Sequence, residues 1–232
     1  MLQTVSEDSR NWITEMNIEK ARFNMIEQQI RPWKVLDDEI LNLMSSVPRE
    51  LFVPDAYKAL AFADIAIPLS DERHLLHPKE EGRLLQEIKP ERHEKVLVVG
   101  SATGYVAALL ASFANEVYAV DSNTDYVDVS VKYFSKLNIH NITVSCSDPS
   151  QGLETQAPFD VIVVLGSMQV LSEVLKKQMK VGGRMFCILG QEPTMEAVLM
   201  TRQSDDQWSE TGLFELLTPS IPNAPEAEKF HF

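Results

Sequence analysis

Five short apolar runs between residues 95 and 190 constrain this chain more than anything else in it: KVLVVG, EVYAVD, ITVSCSD, FDVIVVLG and RMFCILG. Each has the length of a β-strand, is rich in Val, Ile or Leu, and shows little alternation between apolar and polar residues. Strands buried on both faces of a parallel sheet have this pattern. Helical candidates lie between them, at Tyr105 to Phe113, Asp125 to Leu137 and Gln169 to Met179. The repeated strand-helix-strand order predicts an α/β fold with a doubly wound, mostly parallel sheet and helices on both faces. Two further strand candidates, AVLMTRQ and LFELLTP, have only a turn region between them, which predicts an antiparallel edge.

The segment before this pattern reads as helices. An amphipathic stretch runs from Ile18 to Ile30, Pro32 breaks it, Asp37 or Asp38 is placed to cap EILNLM, and Pro48 makes another break. Residues Ala63 to Pro78 hold two prolines and little periodicity, so an irregular loop is expected there. With 44% hydrophobic residues in 232, the chain has enough apolar surface for a large core without staples. A net charge of −13 argues against a generalised nucleic-acid surface, since that affinity comes largely from Lys and Arg displacing counterions. Cys146 and Cys187 both fall in strand-like runs, where a thiol behaves as a small hydrophobe, and no disulfide framework or zinc site can be read from two cysteines. The N-terminal residues show no basic start followed by an apolar stretch, and no window approaches a membrane span, so no membrane association and a cytoplasmic location are expected.

Ligands of doubly wound sheets bind beyond the carboxyl ends of the strands, near the point where strand order reverses. The first strand here runs into G-S-A-T-G-Y. Gly100 and Gly104 permit a tight turn and close backbone approach, and the helix expected from about Thr103 offers free N–H groups. Asp121 ends the second strand, placed to accept hydrogen bonds from ribose hydroxyls; Asp148 ends the third, where an adenine amino group would be met. A dinucleotide fits less well, because the third glycine of G-x-G-x-x-G and a Tyr-x-x-x-Lys pair are missing. A tight connection that binds nothing is the bland alternative. Met168 and Gln169, at the end of the fourth strand, either border a pocket or, for Met168, pack in the core.

Several longer stretches carry a family resemblance. MIEQQIRPWKVLDDEILNLMSSVPRELFVPDAYKALAFADIAIPL, then KVLVVGSATGYVAALLA, FDVIVVLGSM and MKVGGRMFCILGQE resemble the protein-L-isoaspartate O-methyltransferase family from about Met25 to Gly190. VPRE-FVP followed by A-AD is the most specific part; the later stretches are shared by many S-adenosylmethionine-dependent methyltransferases. The resemblance implies a Rossmann-like methyltransferase fold with a seven-stranded sheet, S-adenosylmethionine as methyl donor, and isoaspartyl carboxylates of damaged proteins as substrate. It puts the cofactor turn on Gly100, Ser101, Ala102, Thr103 and Gly104, the ribose acid on Asp121 with Ser122 after it, and the adenine-side acid on Asp148. It also divides the domain into a helical cover with substrate loop, 1–78, and a cofactor-binding core, 79–232.

This sequence departs from the family pattern at both ends of the site. Val98 stands where the family usually has an acid, and Ala102 where it has a glycine. Losing a charged hydrogen bond to the cofactor ammonium costs about 1.5–3 kcal/mol, roughly tenfold to a hundredfold in affinity. In the substrate loop, Leu76 replaces a serine and His74 a threonine, so the family's serine role cannot be carried to Leu76. Arg73, His74, His77 and Lys79 make a locally basic stretch, read either as a cradle for an anionic substrate or as a solvated loop; a metal site from Asp71, His74 and His77 is disfavoured. Glu80 and Glu81 suit the start of the next helix. Two alternatives stay open: a pseudoenzyme kept as a binding module, and a methyltransferase acting on another substrate.

Overall fold

The Val- and Ile-rich runs do pair into one sheet in the computed structural model, which describes residues 17–227. Strands β3 (Lys95–Val99), β4 (Glu116–Asp121), β5 (Ile142–Cys146), β6 (Phe159–Met168), β7 (Met179–Gln191), β8 (Thr194–Arg202) and β9 (Trp208–Glu215) follow a two-stranded ribbon of β1 (Ile67–Pro68) and β2 (His74–Leu75). The large sheet has the order β5-β4-β3-β6-β7-β8-β9. Pairing is parallel from β5 through β7, and β8 and β9 complete an antiparallel edge, as the turn-linked tail predicts. Strand order reverses between β3 and β6, which places the ligand crevice at Gly100 and Gly166.

Helices cover both faces. Residues 17–25 form α1, which loosens into a π-turn at Ile26–Ile30 and tightens into a 3-10 turn at Arg31–Trp33, so Pro32 alters the helix rather than breaking it. Lys34, in the left-handed region at φ 64°, ends it. Asp37 caps α2 (Asp38–Ser46) by accepting from the N–H groups of Glu39 and Ile40. After α3 (Arg49–Phe52) and the ribbon come α4 (Pro78–Ile88), α5 (Tyr105–Ala111), α6 (Thr124–Lys136) and α7 (Glu173–Lys177). Every residue of α5 is buried, because it is sandwiched between the sheet and the N-terminal helices.

Some expectations need correction. The helix expected over Gln169 to Met179 is only the short α7, and the helix after the glycine turn begins at Tyr105, not Thr103. Ala63 to Pro78 is not wholly irregular: β1 and β2 pair through Ile67–Leu75 and Pro68–His74, closed by a turn with Glu72 at φ 66°. Cys187 is buried, and desolvation pushes its thiol up to about 12, whereas Cys146 is exposed at the tip of edge strand β5. Met168 is fully buried in the core. One continuous core joins Met25, Phe52 and Leu76 to the sheet residues Val98, Val163 and Phe186, so the N-terminal helices and the sheet share apolar packing. Among the described residues, no helix is long and apolar enough to cross a membrane.

Candidate cofactor and substrate site

The glycine turn is held by the sheet beside it. The N–H groups of Gly100 and Ser101 both donate to the Val120 carbonyl, and Gly104, at φ 95°, turns the chain into α5. Ala102 takes φ 49°, a conformation glycine adopts more readily, which marks where the family glycine is missing. Ser101 Oγ, Thr103 Oγ1 and Tyr105 Oη are buried and lack a hydrogen-bond partner among the described residues. Groups of this kind are costly to leave unpaired, so the turn suits a polar ligand. Ser101 and Tyr105 line a cavity of about 20 Å³ with Arg73, His74, Leu76, Glu81 and Gly100. That is room for about one water.

Asp121 ends β4 with no exposed surface. Its Oδ1 accepts from Arg73 Nη2 and from the N–H of Asn123, both at 2.9 Å; its Oδ2 accepts from Arg73 Nη1 at 2.9 Å and the N–H of Ala102 at 2.8 Å. Arg73 also reaches Asp71, at 2.9 Å from Nε and 2.6 Å from Nη2, and its guanidinium lies 5.3 Å from the Tyr126 ring centre. Burial opposes the Arg73 charge, but the hydrogen bonds of Asp121 and Asp71 outweigh it and raise its pKa. Asp71 is held below the usual carboxylate range by Arg73 despite its own partial burial.

The basic stretch is therefore neither a cationic cradle nor a solvated loop. Arg73 is 8% exposed and neutralised by two acids, while His77 Nδ1 and Lys79 Nζ pair with the two oxygens of Asp64, at 3.0 and 2.8 Å. Glu80 helps open α4 by accepting from the His77 N–H. Leu76 is buried in the main core, and burial lowers the pKa of His74, whose Nδ1 has no partner among the described residues. Among those residues no His, Cys, Asp and Glu side chains gather as a metal site. Asp148 caps a short turn through the N–H of Ser150 and accepts from Asn223 Nδ2 at 2.9 Å. Ser122 lines a cleft of about 530 Å³ outside Arg73, together with Asp71, Asn123, Pro219 and Ser220.

Sequence reasoning missed Arg49 and its pairing with Glu81, an acid read only as suiting the start of α4. Arg49 is fully buried, and gives Nε and Nη2 to Glu81, Nη1 to the Ala61 carbonyl and Nη2 to the Leu76 carbonyl. The pair ties α3 to α4 and fixes the loop that carries Leu76. The available signal was an arginine inside the apolar VPRELFVP stretch, too hydrophobic a setting for an unpartnered charge.

A glycine turn after the first parallel strand, acids at the tips of the next two, and this strand order define an S-adenosylmethionine-dependent methyltransferase frame. The chain belongs to the protein-L-isoaspartate(D-aspartate) O-methyltransferase family, whose model matches residues 20–217. It is 32% identical over 185 residues to protein-L-isoaspartate O-methyltransferase 1 of Syntrophobacter fumaroxidans, covering 80% of this chain and 86% of that one. It is 33% identical over 201 residues to protein-L-isoaspartate O-methyltransferase of Koribacter versatilis, covering 87% and 89%. Among solved structures, a protein-L-isoaspartate O-methyltransferase superposes with a TM-score of 0.75 at 21% identity, over 87% of this chain and 66% of that one. One from Plasmodium falciparum, in complex with S-adenosyl-L-homocysteine, gives 0.73 at 18% identity, over 88% and 98%. These structures share the fold.

Proposed function

We propose that this chain binds S-adenosylmethionine at the Gly100–Gly104 turn and methylates isoaspartyl carboxylates of proteins. The observation that carries this reading is the turn itself, with buried, unpartnered hydroxyls on Ser101 and Thr103 flanking Ala102, whose N–H donates to the acid Asp121, in a chain of this family. When bound, the cofactor supplies an electrophilic methyl on a sulfonium. The unpartnered hydroxyls of Ser101 and Thr103 would hold it, with Asp121 and Ser122 on the ribose side and Asp148 on the adenine side. In this reading residues 1–78 would cover the site and 79–232 bind the cofactor, with 1–16 and 228–232 lying outside the described residues.

The nucleophile, a substrate carboxylate, is ionised at neutral pH, so no general base is required, and catalysis rests mainly on alignment. Leu76 offers that carboxylate no hydrogen bond. His74 is the polar group of the loop that can, because it lines the cavity and burial favours its neutral ring. S-adenosylhomocysteine should raise the melting temperature of the protein, and Asp121→Ala should remove that shift, since ligand bound only to the folded state stabilises it. No shift at millimolar ligand in either protein would leave a binding module without cofactor as the better reading.

The substrate loop is tested separately. Leu76→Ser with His74→Thr should raise methyl transfer to an isoaspartyl peptide and leave S-adenosylhomocysteine affinity nearly unchanged. Because Leu76 is core, the change also costs about 2–5 kcal/mol of stability, so rates are compared at equal folded fraction. Unchanged or lower turnover would show that Leu76 and His74 do not limit the reaction.

A further inference from the structure

The groups assigned to the cofactor are already engaged by the chain itself. A carboxylate has about four acceptor positions, and Asp121 uses four: two for Arg73, one each for the N–H groups of Ala102 and Asn123. Ribose hydroxyls can bond to it only if Arg73 leaves. On the adenine side, Asn223 Nδ2 holds Asp148 at 2.9 Å.

Between these two acids, residues 218–224 lie across the strand tips. The N–H of Ser167 donates to the Pro219 carbonyl at 3.0 Å, the N–H of Ile221 donates to the Ser167 carbonyl at 3.1 Å, and Ser167 Oγ donates to the Thr218 carbonyl at 3.0 Å. Ile221 is 2% exposed and seated on two glycines of the crevice: a Cβ added at Gly100 would lie 3.4 Å from Ile221 Cγ2, and one at Gly166 only 2.8 Å. The seat at Gly166 accepts Ile221 because no side chain stands there. This segment begins just past residue 217, where the family match ends.

We propose that Arg73 and residues 218–224 form a two-part strap that competes with S-adenosylmethionine for its own site. The inference rests on the cofactor reading given above. Displacement has a built route. Arg73 is bonded to Asp71 through Nε and Nη2, and both line the open cleft of about 530 Å³, so its head group can turn outward from Asp121 while Asp71 keeps it paired. Pro219, Ser220 and Pro222 also line that cleft, so the two parts of the strap border one space. Cofactor binding then requires the Arg73–Asp121 pair to open and Ile221 to lift from Gly100 and Gly166.

The test measures S-adenosylhomocysteine affinity by calorimetry for the wild type, Arg73→Gln, and the double variant Ile221→Ala with Asn223→Ala. Amide exchange at Ile221 and Ser167 is followed with and without ligand. The double variant touches neither acid of the Arg73 network, so it remains informative if Arg73→Gln folds poorly. Both variants should bind at least tenfold more tightly than wild type, and ligand should speed exchange at the Ile221 and Ser167 amides in the wild type. Equal or weaker binding in folded variants, or ligand-independent exchange, would overturn the strap and leave the cofactor reading intact. Absence of binding in every protein would overturn the cofactor reading and the strap with it.

Discussion

Arg49→Ala should destabilise the protein by about 3–5 kcal/mol, because it strands a buried carboxylate rather than because it deletes a favourable contact. Arg49 has no exposed surface and Glu81 is 1% exposed. The two meet at 2.9 and 3.3 Å, and two further Arg49 hydrogen bonds satisfy the carbonyls of Ala61 and Leu76 at 2.6 and 2.8 Å. Burial, with the neighbouring Glu80 charge, raises the Glu81 pKa even beside Arg49, and without Arg49 it would rise further, so the variant should fold with Glu81 neutral or not at all. For a domain of this size the melting temperature should fall by about 6–20 °C. Arg49→Met with Glu81→Leu should recover part of the loss. It cannot recover all of it, since the two carbonyls stay unpaired at about 1–3 kcal/mol each. A chemical-denaturation series on the single and double variants checks this, and a loss under 1 kcal/mol for Arg49→Ala would refute it.

The contrast between Arg49 and the strands shows what kind of feature a sequence displays. KVLVVG and FDVIVVLG are legible because strand burial on both faces is a local demand that Val and Ile meet, whatever lies elsewhere. The tips at Gly100, Asp121 and Asp148 follow from the ends of those runs. Arg49 and Glu81 lie 32 positions apart, and Arg73 and Asp121 48 apart, so their partners are fixed only when the helices and the ribbon dock on the sheet. Arg73 read from sequence is a cation in a basic stretch. Its acids, Asp71 on the ribbon turn and Asp121 on β4, turn it into a neutralised plug, and no local pattern separates those outcomes. Asn223 and Ile221 were silent for the same reason: their contacts with Asp148 and Gly166 are made across the strand tips.

Gly104→Ala should be the most damaging single-methyl change in the Gly100–Gly104 turn. Two costs add at this position. An L-residue at φ 95° carries about 1–2 kcal/mol of backbone strain. The new Cβ would also lie 2.5 Å from Phe134 Cζ and 3.0 Å from Ser130 Cβ, and forcing an extra carbon into a packed site costs about 1–3 kcal/mol. Phe134 cannot step aside freely, since it is 4% exposed and its ring packs against Phe52, with centres 6.4 Å apart. The expected loss is therefore about 2–5 kcal/mol. Gly182→Ala separates the two terms, because Gly182 has φ 83° but nothing within 4 Å of its added Cβ, so it should lose only the strain, about 1–2 kcal/mol. Function should divide the same way. Relief at Gly104 must move α6 or tilt the start of α5, and either displaces the Ser101 and Thr103 hydroxyls, so S-adenosylhomocysteine affinity should fall at least tenfold while Gly182→Ala leaves it unchanged. Equal stability losses in the two variants would mean that Phe134 yields to the methyl and that backbone conformation alone sets the demand for glycine at this turn.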